Sequence, residues 1–218
     1  MKLQWTKVGD IPHGFLCATP VHLIYRVRDA APVGELKRIS ADLRLQLSDL
    51  RASGPADTDA LERVLAEYGR VYDALLDAQD QRNFVLHDDR AAQITLGSWQ
   101  TLQRRGELLL YAACVMGNHV HALFRGPHGE PDRPLGRLVG RHKSYTNHEI
   151  RAVIDHATTI WEDGFYDRYV RPGSFWDVLW YILQNPVKAG LTGDWRTWAG
   201  TYVDERCLPE LEARFGGR

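Results

Sequence analysis

The feature that most constrains the fold is a pair of apolar segments joined by a two-residue turn. Residues 108–116 are almost wholly apolar, and His119–Arg125 follows them after Gly117 and Asn118. Glycine and asparagine are favoured in tight turns between antiparallel strands. The sequence therefore predicts a β-hairpin, and the apolar first strand indicates a central place in a sheet.

The second strand of this hairpin carries two histidines. Successive strand residues point to opposite faces, so His119 and His121 share one face while Val120 points to the other. Two neutral imidazoles side by side form half of a divalent-metal site. On an apolar strand they cost burial energy unless both are hydrogen-bonded or ligated. Taken without the rest of the chain, the pair fits equally well a polar strand face with two chance histidines.

Length and composition are those of one globular domain. The chain has 218 residues, 44% of them hydrophobic and 25% charged, and we expect a single domain over residues 1–218. No apolar run reaches the about 18 residues of a membrane helix, and the first residues lack a signal-peptide pattern. Cys17, Cys114 and Cys207 form no Cys-x-x-Cys pair, which argues against a disulfide framework or a thiolate zinc site. We therefore predict a cytoplasmic protein without a membrane partner.

Residues 29–80 form a long acidic stretch with helical spacing. Leucine and tyrosine recur every seven residues in two series, which are Leu36, Leu43 and Leu50, then Leu61, Tyr68 and Leu75. A break at Ser53, Gly54 and Pro55 separates the series, so we predict a helical hairpin inserted in the domain. Residues 29–90 hold 13 acidic and 8 basic residues, whereas the rest of the chain has a basic excess. Because of this acidity, we expect the hairpin to lie at the periphery, away from any nucleic acid, where it packs beside the sheet or contacts another protein.

The other predicted elements are a strand and three helices. Residues 21–28 alternate and are β-branched, which is typical of a strand. Helices are predicted at residues 89–105 and 134–150. The last helix should begin at Ser174, with Asp177 completing a capping pair, and should stop at Pro186.

This last helix carries a polar stripe. Asp177, Tyr181 and Asn185 are spaced four apart and so share one helix face. A tyrosine in such a stripe is most often a half-buried core residue, but a phenol beside an activated phosphate can act as a nucleophile. The amide oxygen of Asn185, one turn further on, is a suitable third ligand for a hard cation.

Three motifs, in order along the chain, resemble those of one protein family. Residues 114–123 (CVMGNHVHAL) resemble the His-hydrophobic-His motif of the IS200-like tyrosine transposases. Residues 161–168 (WEDGFYDR) and 181–191 (YILQNPVKAGL) are similar to two later blocks, which are most typical of the REP-associated tyrosine transposases. The resemblance covers residues 15–28 and 82–200 and leaves out the 29–80 insertion. Gly117 stands where the family most often has proline, and Glu162 where glutamine is usual.

The resemblance implies a fold, a chemistry and a set of site residues. The implied fold is α/β (α+β), an antiparallel sheet of palm or RNA-recognition type with helices on one face. The implied activity is Mg²⁺- or Mn²⁺-dependent nicking and joining of single-stranded DNA through a 5′-phosphotyrosine. It would serve DNA transposition or the processing of palindromic repeats. By motif position, His119, His121 and Asn185 would hold the metal and Tyr181 would be the nucleophile, with Tyr166 as its main competitor.

The expected partner is single-stranded DNA in hairpin or palindromic form, bound by a monomer or a homodimer. Five basic residues are predicted to contact the DNA backbone, although a solvated charged face is the default interpretation of the first three. They are Arg137, Arg141, Lys143, Arg168 and Arg171.

Two other functions fit parts of the sequence. One is a domesticated, non-catalytic DNA-binding protein that keeps the fold. The other is a small-molecule metallohydrolase built around the histidine pair. Such enzymes commonly need further ligands at the ends of other barrel strands, and this chain is short for a barrel.

Overall fold

The structure, a computed structural model, describes residues 6–8, 11–52, 58–155 and 158–216. The break predicted at Ser53, Gly54 and Pro55 lies outside these residues. The strands are β1 (Thr6–Val8), β2 (Ile11–His13), β3 (Phe15–Leu16), β4 (Val21–Arg26), β5 (Leu109–Val115), β6 (His119–Arg125), β7 (Arg133–Pro134), β8 (Tyr166–Tyr169) and β9 (Thr201–Val203). The α-helices are α1 (Val33–Ala52), α2 (Thr58–Asp77), α3 (Asp89–Arg104), α4 (Leu135–Ile154), α5 (Phe175–Lys188) and α6 (Leu208–Phe215). None of the helices in the described ranges combines the length and apolarity needed to span a bilayer.

The centre of the fold is a five-stranded antiparallel sheet with the order β8-β4-β6-β5-β9. The predicted hairpin is confirmed, because β5 and β6 pair in antiparallel register and the Met116 N–H donates to the His119 carbonyl at 2.9 Å. β6 lies in the middle of the sheet, with β4 on one side and β5 on the other. The histidine strand therefore occupies the centre of the molecule.

Helices cover both faces of this sheet. Val120, Ala122 and Phe124 of β6 pack in one apolar cluster with residues of α3 and α4. Leu123, on the opposite face of β6, packs in a second cluster with residues of α5. The predicted α/β class with an antiparallel sheet is confirmed, but the helices lie on two faces rather than one. The reason is that the faces of β6 are both buried, so each needs a covering layer.

The helical hairpin is present as α1 and α2, but it is not peripheral. Leu43, Leu47 and Leu65 form a small cluster between the two helices. Further along α2, Tyr72 and Leu76 are buried in the main core. Because α2 also carries acidic residues, the sequence did not indicate that Tyr72 and Leu76 would pack in the main core. Helix α2 is therefore a structural layer of the domain, and the expectation that the hairpin lies at the periphery is wrong.

The last helix begins at its N-cap Ser174 as predicted, but it lacks the expected capping bond and ends later. No side chain caps its N-terminus at Ser174, and α5 continues through Pro186 to Lys188. Proline cannot donate to the carbonyl one turn earlier. Here the Asn185 Nδ2 donates to the Ile182 carbonyl at 3.4 Å and to the Tyr181 carbonyl at 2.9 Å. This side chain offsets part of the lost backbone bonding, and the helix ends two residues later than expected.

Candidate active site

His119 and His121 lie side by side in the buried centre of the sheet. Both side chains are buried, and their Nε2 atoms are 2.9 Å apart. The register of β6 with β4 puts Ile24 opposite His121 and Arg26 opposite His119, so both histidines lie on one face as predicted. That face is turned toward α2 and α5. The burial of both rings shows that this strand face is not exposed to solvent.

Asn118 determines which nitrogen of His119 carries the proton. Its Nδ2 donates to the carbonyls of Ala30 and Leu76 at 2.9 and 3.0 Å, which orients its Oδ1 toward His119. The Oδ1 lies 2.6 Å from the His119 Nδ1, and an oxygen without a hydrogen can only accept. The His119 Nδ1 therefore donates, and its Nε2 presents a lone pair toward His121.

Burial keeps the histidine pair neutral. Desolvation lowers the pKa of His119 to about 3, and the nearby His121 acts in the same direction. Desolvation likewise lowers the pKa of His121 to about 3, assisted by the positive charges of Lys188 and Arg168. Neutral imidazole is the form that binds a metal ion. The His121 Nδ1 lies 3.1 Å from the His22 Nε2, which gives this ring a hydrogen-bond partner on its far side.

A carboxylate from the inserted hairpin completes the group. Asp73 of α2 is buried, and its Oδ1 lies 3.4 Å from the His121 Nε2 and 3.8 Å from the His119 Nε2. This oxygen has no hydrogen-bond partner among the described residues. One ligand atom from each of these three residues lies within 4.8 Å of the others. Sequence reasoning missed Asp73, although its spacing of eight from Leu65 places it on the apolar face of the helix.

The Tyr181 hydroxyl contacts the same carboxylate. It donates a hydrogen bond to the Asp73 Oδ2, while the tyrosine ring lies edge-on to His121 at 5.9 Å between centroids. The Lys188 Nζ lies 4.3 Å from the centre of the tyrosine ring. Desolvation and the negative charge of Asp73 raise the pKa of the phenol. Asp73 thus joins the tyrosine to the histidine pair.

The polar stripe on α5 divides into three environments. Asp177 is exposed at the start of the helix. Asn185 is buried, and its Oδ1 has no hydrogen-bond partner among the described residues. Its Nδ2 donates to the Tyr181 carbonyl, which fixes the amide against the turn that carries the nucleophile candidate. Tyr181 and Asn185 are therefore adjacent, and the role of Asn185 as a metal ligand stays a prediction.

The competing tyrosines are engaged elsewhere. The Tyr166 hydroxyl donates to the Leu65 carbonyl at 2.7 Å in a buried position. The Tyr169 hydroxyl accepts from the Phe15 N–H at 2.7 Å. Tyr145 lies exposed on α4, on the other side of the sheet. Of the four tyrosines considered, Tyr181 has the hydroxyl that contacts the His–Asp group.

The five predicted DNA contacts fall into two pairs and one separate lysine. Arg168 and Arg171 line a cavity with Tyr181 and Asp73. Arg137 and Arg141 line a different cavity, formed with residues of β7 and α4.

The remaining contact residue, Lys143, donates to the carbonyls of Glu162 and Gly164 at 2.8 and 2.5 Å. Desolvation lowers the pKa of its amine to about 8. These bonds give Lys143 a structural role in holding the 162–164 loop. The structure therefore brings two of the five predicted contacts to the candidate site.

Comparison with known proteins supports the fold. No protein-family model and no curated protein matches the sequence. One similar solved structure is that of a REP-associated tyrosine transposase bound to a REP hairpin. The two chains are 12% identical with a TM-score of 0.52, and the match covers 96% of this chain and 87% of the other. The chain therefore has the fold of a tyrosine transposase.

Proposed function

We propose that this protein is a metal-dependent endonuclease and strand transferase of single-stranded DNA, with Tyr181 as its nucleophile. The observation that carries this proposal is the Asp73 carboxylate, which accepts from the Tyr181 hydroxyl and also faces both histidines. A tyrosine that serves only in packing needs one hydrogen-bond partner for its hydroxyl. Packing alone does not require that this partner, Asp73, also lie beside the nitrogens of two histidines. The antiparallel sheet also removes the barrel metallohydrolase from consideration.

The residues at this site fit a divalent cation. The Asp73 Oδ1 and the Asn185 Oδ1 are buried oxygens without hydrogen-bond partners in the described part of the chain, and both imidazoles are neutral. An orphaned buried oxygen costs folding energy that a ligand can recover. Nitrogen and oxygen donors without a thiolate favour Mg²⁺ or Mn²⁺ over structural zinc. His119, His121, Asp73 and Asn185 would hold the ion, which when bound polarises a phosphate and orients its oxygens.

The protein's own groups account for the bond changes. The Tyr181 oxygen forms a bond to the phosphorus of the scissile phosphodiester, and the bond from phosphorus to the 3′ oxygen breaks. The phenol proton passes to Asp73, and the departing 3′ oxygen takes a proton from solvent water. Asp73 then releases its proton to solvent, so the step balances. The products are a 5′-phosphotyrosine and a free 3′-hydroxyl. Attack by another 3′-hydroxyl reverses the step and joins two strands without an external energy source.

The substrate class follows from the fold neighbour and from the charges at the site. The neighbour was solved with a REP hairpin. We infer that this chain also takes single-stranded DNA with a hairpin or palindromic repeat, in transposition or repeat processing. Arg168 and Arg171 lie at the mouth of the cavity that holds Tyr181, where they can contact phosphates.

The test is formation of a covalent adduct. Labelled single-stranded DNA with a hairpin is incubated with the protein and Mn²⁺, then run on a denaturing gel. The proposal predicts an adduct that EDTA prevents and that Tyr181→Phe abolishes. Tyr145→Phe, at an exposed site, is the matched control and should react like the wild type. DNA binding without any adduct would instead support the non-catalytic DNA-binding protein.

A further inference from the structure

A cleft runs along the inserted helix α2 and opens beside Tyr181. It consists of two adjoining cavities of about 430 and 250 Å³, which share Ala66, Arg168 and Arg171 in their walls. The larger cavity reaches Tyr181 and Asp73. The smaller one continues toward the start of α5. The reacting groups of the proposed site therefore line the larger of two adjoining cavities.

The wall formed by α2 is built from small residues. Ala66 faces both cavities, and Gly69 lies against Tyr166 so closely that an added Cβ would sit 2.3 Å from the tyrosine ring. Because these positions lack bulk, the helix packs tightly on β8 and still leaves the cleft open. Large side chains at either position would close it or force α2 away.

Arg168 is the cation in this cleft without a counter-ion. It lies opposite His22 in the register of β8 with β4, on the sheet face that carries the histidine pair. No hydrogen bond or ion pair joins its guanidinium to any residue within the described ranges. Its charge nevertheless acts on the site, since it opposes the rise in the pKa of Asp73 and of Tyr181. A half-buried guanidinium without a partner is suited to bidentate binding of a phosphate.

Two other arginines that line these cavities have carboxylate neighbours. Arg171 lies 3.3 Å from Glu62, and Arg70 lies 2.6 Å from Glu67, both at the surface. Such exposed pairs contribute little net energy. A DNA phosphate can therefore replace the carboxylate beside each of these arginines. Arg168 can bind a phosphate without first releasing a carboxylate.

We propose that this cleft binds the unpaired DNA strand next to the phosphate that Tyr181 attacks, with Arg168 on a phosphate and α2 as one wall. This inference rests on the proposed function and deepens it. It gives the inserted hairpin a direct part in substrate binding. The strand enters unpaired because a cleft between one helix and one sheet edge has no room for a duplex.

The test separates strand binding from chemistry by using the Tyr181→Phe background. Anisotropy is measured with a fluorescent DNA hairpin that carries an unpaired flank, and with the same hairpin without the flank. Ala66→Trp fills the cleft, and Ala74→Trp places the same side chain at an exposed position of the same helix. We expect Ala66→Trp to weaken binding of the flanked hairpin about 10- to 100-fold, the range for lost charged contacts. Ala74→Trp should leave it unchanged.

Arg168→Ala provides a second variant that does not alter the packing of α2. Its expected effect is a weaker affinity for the flanked hairpin and a salt slope reduced by about 0.7, the value for one phosphate of a single strand. Arg137→Ala, in the other cavity, is its control. Mn²⁺ affinity by calorimetry should be the same in Ala66→Trp, Ala74→Trp and Arg137→Ala, which shows that each is folded at the site. Arg168→Ala should bind Mn²⁺ at least as tightly, because it loses a positive charge near the ligands.

Several results would overturn the cleft assignment. Unchanged affinity in Arg168→Ala, or equal losses in Ala66→Trp and Ala74→Trp, would show that the strand lies elsewhere. Equal losses for the hairpins with and without the flank would place the paired stem, not the unpaired strand, in the cleft. These results come from binding measurements and do not decide the outcome of the adduct assay. An incorrect cleft assignment can therefore be distinguished from an incorrect proposed function.

Discussion

Replacing Asp73 with asparagine should make the metal-free protein more stable and its metal binding weaker. Burial raises the pKa of Asp73, which means that ionising this carboxyl costs folding energy at neutral pH. Asparagine has nearly the same shape, keeps an oxygen that can accept from Tyr181 and carries no charge. The substitution therefore removes the cost of the buried charge together with one ligand oxygen.

The size of the metal effect follows from the loss of one ligand in the group. Loss of a residue that merely supports a ligand weakens binding about 10- to 100-fold, so we take the upper value for a ligand itself. At Mn²⁺ about 100 times the wild-type Kd, binding stabilises the wild type by about 2.7 kcal/mol. In a variant with a 100-fold weaker site, the same Mn²⁺ stabilises by about 0.4 kcal/mol. For a chain of this length these values correspond to Tm increases of about 5–11 °C and about 1–2 °C.

The assay is thermal unfolding of both proteins with and without Mn²⁺. Asp177→Asn removes an exposed carboxylate from α5 and is the matched control, with the metal response of the wild type. If Asp73→Asn shows the full Mn²⁺-dependent rise in Tm, Asp73 is not a ligand. If its metal-free Tm falls well below that of the wild type, the buried carboxylate was stabilised by contacts other than those described above.

Three further predictions concern the hairpin, the competing tyrosine and pH. Replacing residues 31–80 with a Gly/Ser linker should give an inactive, poorly folded protein by circular dichroism, because it removes Leu76 from the core; a folded, cleaving product would contradict this. Tyr166→Phe should lower the unfolding free energy by about 1 kcal/mol in urea titrations, through loss of its bond to Leu65, yet still form the adduct. Burial raises the pKa of Asp77 from 3.8 to about 7, so this carboxyl contributes stability to the metal-free protein that is lost as pH rises from about 4 to 7, whereas the low pKa values of His119 and His121 act in the opposite direction. Asp77→Asn should remove this contribution, so that stability rises more steeply with pH than in the wild type, and an unchanged pH dependence in chemical denaturation would refute the assignment.

Local patterns were enough to predict the centre of the site. The β5–β6 hairpin follows from two apolar runs and a Gly-Asn turn, and the shared face of His119 and His121 follows from strand geometry. The proximity of Tyr181 to this pair came from the family resemblance. Nothing in the local sequence of α5 indicates which strand it will pack against.

The contribution of Asp73 could not be predicted because it depends on long-range packing. Asp73 is separated from His119 by more than forty residues, and its neighbours in sequence are those of an ordinary amphipathic helix. Whether such a helix projects outward or covers the sheet is decided by the fit of Tyr72 and Leu76 into the core. The passage of α5 through Pro186 was missed for a different, local reason, since the Asn185 amide bonds the carbonyls of its own helix.

The most direct measurement of the central claim is to locate the residue that carries the DNA. After reaction with Mn²⁺ and digestion of the DNA to a short remnant, tryptic peptides are sequenced by mass spectrometry. Tyr166 lies in the peptide of residues 152–168, whereas Tyr169 and Tyr181 lie in that of residues 169–188, because trypsin does not cut before Pro172. We predict a nucleotide remnant in the 169–188 peptide, with fragment ions that place it on Tyr181. A remnant on Tyr166 or Tyr169, or an adduct of equal yield in Tyr181→Phe, would contradict the account.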